Sequence, residues 1–216
     1  MFYNPASALA AALMLIGVLS PAAAREAPAR PQVLPIEREE ALALEALPEP
    51  MRAEAGVWVL TSEGYRQVRA TSNGYTCIVN RDDVEALKPT CYDREGTETI
   101  LPAVVWFGNQ LMLGRNVRDV RQELSAAFAS GRFISPRRAG IAFMLSPNVV
   151  NVWVDADGAR QYGTAPPHYM IYAPNMTNDD LDLTDENYES MPWLPYVAYA
   201  GAHGFLIITI PEQVER

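Results

Sequence analysis

The sequence predicts an α+β fold: a single domain on an antiparallel or mixed sheet of about six strands, with a helix pair inserted at residues 101–130 and an N-terminal helix. Three observations lead there. Hydrophobic spacing changes from a helical to an alternating period near Val57, two helical patterns interrupt the strand-like runs after residue 100, and the last third returns to short apolar runs bounded by Gly, Pro, Asn and Asp.

Residues 25–35, with Pro28, Pro31 and Pro35, read as an extended spacer. Residues 36–47 follow as a helix of good helix formers. Acids in its first turn offset the positive end of the dipole, and Pro48 stops it. Leu44 and Leu47 are expected to face the core and Glu37 and Glu40 the solvent, so the acid run reads as a solvated face. Residues 57–61 and 65–69 form a hairpin whose Gly64 supplies the left-handed turn position, and 75–79 form a third strand after Ser72-Asn73-Gly74. That places Cys77 on regular structure and Cys91 in a loop after Pro89.

Residues 101–113 are apolar on nearly every side, which predicts a largely buried helix that tolerates Pro102 in its first turn. In the next helix Asn116 caps, Gly131 fits the left-handed C′ position, and Val117, Val120, Leu124, Ala127 and Phe128 make one stripe. The stripe reads as core contact, with no ligand assigned to it. Residues 141–145 and 149–154 are strands, the second running through a turn at 155–158 towards Gln161 and Tyr162. Residues 168–173 are another strand, 175–190 a polar acidic loop, and 204–210 a final strand, apolar enough to be central or covered on both faces.

Composition and the N-terminus bound the setting. Residues 8–19 are an unbroken apolar run, followed by Pro21 and by Ala22 and Ala24 at the −3 and −1 positions of a cut before Arg25, which reads residues 1–24 as a secretory signal peptide. The run spans about 18 Å as a helix against the roughly 30 Å a bilayer core requires, so no stable membrane span is expected once the signal is cleaved, an uncleaved anchor being the alternative because residues 1–5 carry no Lys or Arg. A periplasmic or secreted location follows as the expectation. The net charge of −9 repels phosphate backbones and anionic head groups, which argues against nucleic-acid and membrane-surface partners. Lys88 is the only lysine among 17 basic residues, a bias read as genomic composition. Cys77 and Cys91, the only cysteines, are expected to pair in an oxidising compartment. A nucleophilic thiol or a metal ligand is the alternative, but neither cysteine has the sequence context of one.

Four blocks make a resemblance. Asn73-Gly74-Tyr75-Thr76-Cys77, Cys91-Tyr92-Asp93 with Glu95-Gly96, Phe133 through Arg137-Arg138 to Ala142-Phe143-Met144-Leu145, and Pro167-His168-Tyr169-Met170-Ile171-Tyr172-Ala173-Pro174-Asn175 with Thr177-Asn178 resemble a group of uncharacterised exported bacterial proteins, over residues 37–211. The resemblance implies export, one domain and a Cys77–Cys91 pair, and brings no activity with it. The acidic Asp179-Asp180-Leu181-Asp182-Leu183 departs from that pattern.

No catalytic motif stands out. His168 and His203 are the only histidines, and each lies at or just before the start of an apolar strand. Antiparallel neighbours would hold the two imidazoles about 20 Å apart, whereas parallel strands would let them meet, with Asp155, Asp157 or Glu189 completing a two-histidine, one-carboxylate metal site or orienting a general base. The alternative is two strand-edge histidines bonded to backbone or exposed. The candidate catalytic residues are thus His168, His203 and Asp155, and the candidate metal ligands His168 and His203. Asp179, Asp180, Asp182, Asp185, Glu186 and Glu189 fail the EF-hand spacing and leave only an irregular calcium site or a solvated loop. Ser146, before Pro147, lacks a nucleophile elbow. Tyr162, Tyr169, Tyr172, Trp193, Tyr196 and Tyr199 make the C-terminal half aromatic, as core or as an exposed stacking row. The reading that fits is an exported, non-catalytic binding or envelope-associated module, without a cofactor, whose partner is an unidentified ligand or envelope component. The alternative is an extracytoplasmic hydrolase or metal-dependent enzyme using His168 and His203.

Overall fold

The computed structural model describes residues 30–155, 157–184, 186, 191 and 194–210. The segment read as a signal peptide, residues 25–29 of the spacer, and Asp185, Glu189 and Trp193 lie outside the described residues. Helix α1 (Ile36–Leu44) carries Glu37 and Glu39 in its first turn and ends three residues earlier than expected, followed by a 3-10 turn at Glu49–Glu54. Leu42, Ala43, Ala46 and Leu47 are buried, and Leu44 only partly. Glu39 corrects the solvated-face reading, because its side chain is fully enclosed against Arg81.

Strands β1 (Gly56–Thr61) and β2 (Gly64–Arg69) form the expected hairpin, with Gly64 at φ +110°. β3 (Thr76–Asn80) runs parallel to β1, and β4 (Lys88–Tyr92) runs antiparallel to β3. Cys91 therefore sits on a strand rather than in a loop, directly opposite Cys77, and the two are bonded. Pro89 hid this strand in the sequence. The 4.0 Å Cα–Cα separation of Cys77 and Cys91 marks a non-hydrogen-bonded pair. By alternation Val79–Pro89 is non-hydrogen-bonded too, so the missing proline N–H faces away from β3, where the ladder of the next strand pairs only Cys91 and Tyr92.

Three helices, not two, follow β4. Asp93 caps α2 (Arg94–Thr99) by accepting from the Gly96 N–H at 2.9 Å, α3 (Leu101–Met112) carries Pro102 in its first turn, and α4 (Val117–Ala129) is capped by Asn116 accepting from the Arg118 N–H. Gly131, at φ +76°, ends α4 as expected. The chain then supplies β5 (Ile141–Met144), the hairpin β6 (Asn151–Val154) and β7 (Arg160–Gly163), then β8 (His168–Tyr172), β9 (Tyr196–Ala198) and β10 (Phe205–Thr209).

The main sheet has eight strands in the order β2-β1-β3-β4-β5-β8-β10-β9, and β6-β7 make a separate two-stranded sheet. The expected count of about six falls short because β4 and the three-residue β9 are too short or too proline-marked to show periodicity. β10 lies one strand from the edge, with Ile208 37% exposed, so it is not covered on both faces. Alternation along the strands divides the core. Val57, Val59, Cys77, Val79 and Cys91 turn towards α1, while Leu60, Ile78, Tyr92, Met170 and Tyr172 turn to the opposite face, with Ile100 and Leu101 at the start of α3. Among the described residues no helix is long and apolar enough to cross a membrane.

Candidate functional site

The face opposite α1 is not packed solid. A cavity of about 600 Å³ opens between the sheet, α3, α4 and the β6–β7 hairpin, within the size range of small-molecule sites. Val104 and Phe107 of α3, Leu124 and Phe128 of α4, Trp153 of β6 and Phe205 of β10 give it an apolar wall. The α4 stripe that read as core contact is thus core only in part, because Leu124 and Phe128 line this space.

The polar end is built on the β3–β4 connection. Asn80, Asp82 and Lys88 line the cavity together with Arg121, Asn151 and Tyr199. Lys88 Nζ donates to Asp82 Oδ2 at 2.6 Å and to the Tyr199 hydroxyl at 3.2 Å, and that hydroxyl donates to the same Asp82 oxygen at 2.9 Å. Burial alone pulls the Lys88 ammonium down, but Asp82 and Tyr199 outweigh it and hold its pKa above the ordinary lysine value. The Asp82 charge pushes the Tyr199 phenol up, with burial adding to it. Lys88 is therefore a cation and Tyr199 a neutral hydroxyl at pH 7. Arg121, exposed on α4, also lines the cavity, its Nη2 donating to the Asp82 carbonyl at 3.0 Å.

The histidines do not form a joint site. β8 and β10 are antiparallel, with His168 opposite Thr209 and Tyr172 opposite Phe205, so His168 and His203 belong to opposite ends of the strand pair. The four steps from Phe205 to Thr209 alone cover about 13 Å. His168 is buried, and its Nδ1 donates to the Pro166 carbonyl at 2.7 Å. Burial lowers its pKa, with the Lys88 charge adding to the shift against the Pro166 bond. His203 lies in the cavity wall, stacked on Phe128 with centroids 4.8 Å apart and planes 7° apart, and burial lowers its pKa as well.

Asp155 organises the β6–β7 turn. It accepts from the N–H groups of Asp157 and Ala159 and from Gln161 Nε2 at 2.7 Å, and the Gln161 bond leads the causes that hold its carboxyl below the ordinary range. Among the described residues no three His, Cys, Asp or Glu side chains gather as a metal ion requires. Asp180 accepts from the Thr177 N–H and hydroxyl. Ser146 is buried, donating to Glu45 and accepting from the Asn148 N–H. The aromatic residues divide: Tyr169 and Tyr172 pack on Phe143 and Phe205, Tyr162 is half exposed and bonds Glu85, and Tyr199 joins the cavity.

Compared with protein-family models, with curated proteins and with solved structures, the chain matches none.

Proposed function

We propose that the protein is an exported, non-catalytic module that binds a small amphipathic molecule in the cavity between α3, α4 and the β6–β7 hairpin. The observation that carries this is the cavity's division into an aromatic and aliphatic wall and one polar end, the usual layout of a ligand site. Export rests on the apolar run at residues 8–19 with Ala22 and Ala24 behind it, and a fully enclosed disulfide suits an oxidising compartment.

Trp153 in the wall supplies the measurement. Titrating the protein with the neutral fluorophore N-phenyl-1-naphthylamine should give saturable one-to-one binding, with Trp153 emission quenched and the response lost in Trp153→Phe. Leu124→Trp, which fills the cavity from α4, should abolish uptake while leaving the circular dichroism unchanged. Absence of saturable binding by the folded wild-type protein overturns the reading.

A further inference from the structure

We infer that the cavity selects a monoanionic ligand, an aromatic carboxylate whose head group sits at Arg121 beside Lys88 while its ring lies between Phe128 and Trp153. This rests on the cavity being a binding site and specifies what it binds. Charge is the first ground. The protein carries a net −9, yet the charged groups lining the cavity are two cations, Lys88 and Arg121, against one carboxylate, Asp82. The neighbouring acids Asp83 and Glu85 lie outside the lining and are both bound by Arg160. His203 is held neutral by its apolar stack, so it adds no charge. Within the lining itself an entering anion therefore meets one cation in excess, while the Asp83, Glu85 and Arg160 group outside it nets one negative charge.

Donor supply is the second ground. Lys88 directs its charge at Asp82 and Tyr199, but Arg121 makes a single bond, to the Asp82 carbonyl, and the rest of its guanidinium has no partner among the described residues. A cavity-lining guanidinium whose Nε, Nη1 and second Nη2 hydrogen are unbonded among the described residues can still match a carboxylate in two parallel bonds. Asn80 and Asn151 add neutral amide donors to the same end. The apolar wall explains the ring: Phe107, Phe128, Trp153 and Phe205 offer faces and edges to a planar body.

The test is competition against N-phenyl-1-naphthylamine by three ligands of one shape: 2-naphthoate, 2-naphthalenemethanol and 2-naphthylmethylammonium. Naphthoate should compete about ten-fold better than the alcohol, with the ammonium weakest and the advantage shrinking as salt rises. Arg121→Gln, a change at an exposed position, should remove that advantage and shift the alcohol less than about two-fold. Equal competition by all three, or a lead for the ammonium, overturns the anion assignment while the cavity remains a binding site. If neither the fluorophore nor any competitor binds, the binding function itself fails.

Discussion

Glu39 Oε2 and Arg81 Nη2 lie 2.8 Å apart with both side chains withdrawn from water, joining α1 to the end of β3. Arg81 Nη1 also donates to the Val79 carbonyl, which accepts the Tyr65 hydroxyl as well, so one carbonyl gathers two side chains. Glu39 Oε1 and Arg81 Nε have no partner among the described residues. The pair is thus poorly compensated for its desolvation.

Removing one member should cost more than removing both. Glu39→Ala strands a buried guanidinium and should destabilise by about 3–5 kcal/mol, whereas Glu39→Leu combined with Arg81→Met should lose much less. Urea unfolding of the two variants beside the wild type measures the difference, and equal losses for single and double variants contradict it.

The enclosed disulfide should contribute about 3 kcal/mol by shortening the unfolded chain's freedom across its loop. Cys77→Ala with Cys91→Ala should lower the urea midpoint accordingly. Because both sulfurs are fully buried, alkylation after mild reductant should require unfolding.

Acid should weaken the fold partly through the histidines. The pKa values of His168 and His203 are both held below the ordinary histidine value, so below about pH 6.5 the unfolded chain binds more protons and stability falls as pH falls through that window. Glu39, pushed up by burial against the pull of Arg81, acts in the opposite sense, stability being lost as pH rises. The difference between the wild type and His168→Asn, whose amide can still reach the Pro166 carbonyl, isolates the histidine contribution: the variant's stability should change less between pH 7 and pH 5.

The β6–β7 hairpin is fastened to the β3–β4 connection by Arg160, which holds Asp83 and Glu85, and by Tyr162, whose hydroxyl donates to Glu85 at 2.6 Å. Arg160→Ala should speed amide exchange across residues 151–163 while the protection of β3 and β8 stays as it was. Uniform loss of protection would mean that the hairpin is part of the global unit.

At Gly96 a side chain has no room, since a Cβ there runs into the Tyr172 hydroxyl and the Tyr92 ring. Tyr172 uses that hydroxyl to bond Asp93, the α2 cap. Gly96→Ala should therefore cost about 1–3 kcal/mol in a thermal melt.

Elements with strong local chemistry were readable without the structure. Gly64 announces the first hairpin, Asn116 and Gly131 bracket α4, and the turn at 155–158 announces the second hairpin. What escaped has physical causes. Pro89 disguises a strand whose unpaired side needs no donor, and α2 is too short for a period. Glu39 looks like one more surface acid because its partner is 42 residues away. The polar end of the cavity joins Tyr199 to Lys88 and Asp82 across 111 and 117 residues, a separation that leaves no motif. The lone lysine was its one visible sign, and composition bias masked it.

The Cys77–Cys91 bond lies at the base of the chain segment that bears Asn80, Asp82 and Lys88. The bond therefore fastens the two strands from which that segment leaves and to which it returns. For the binding proposed above, the freedom an open loop would surrender on docking is already removed by a covalent bond.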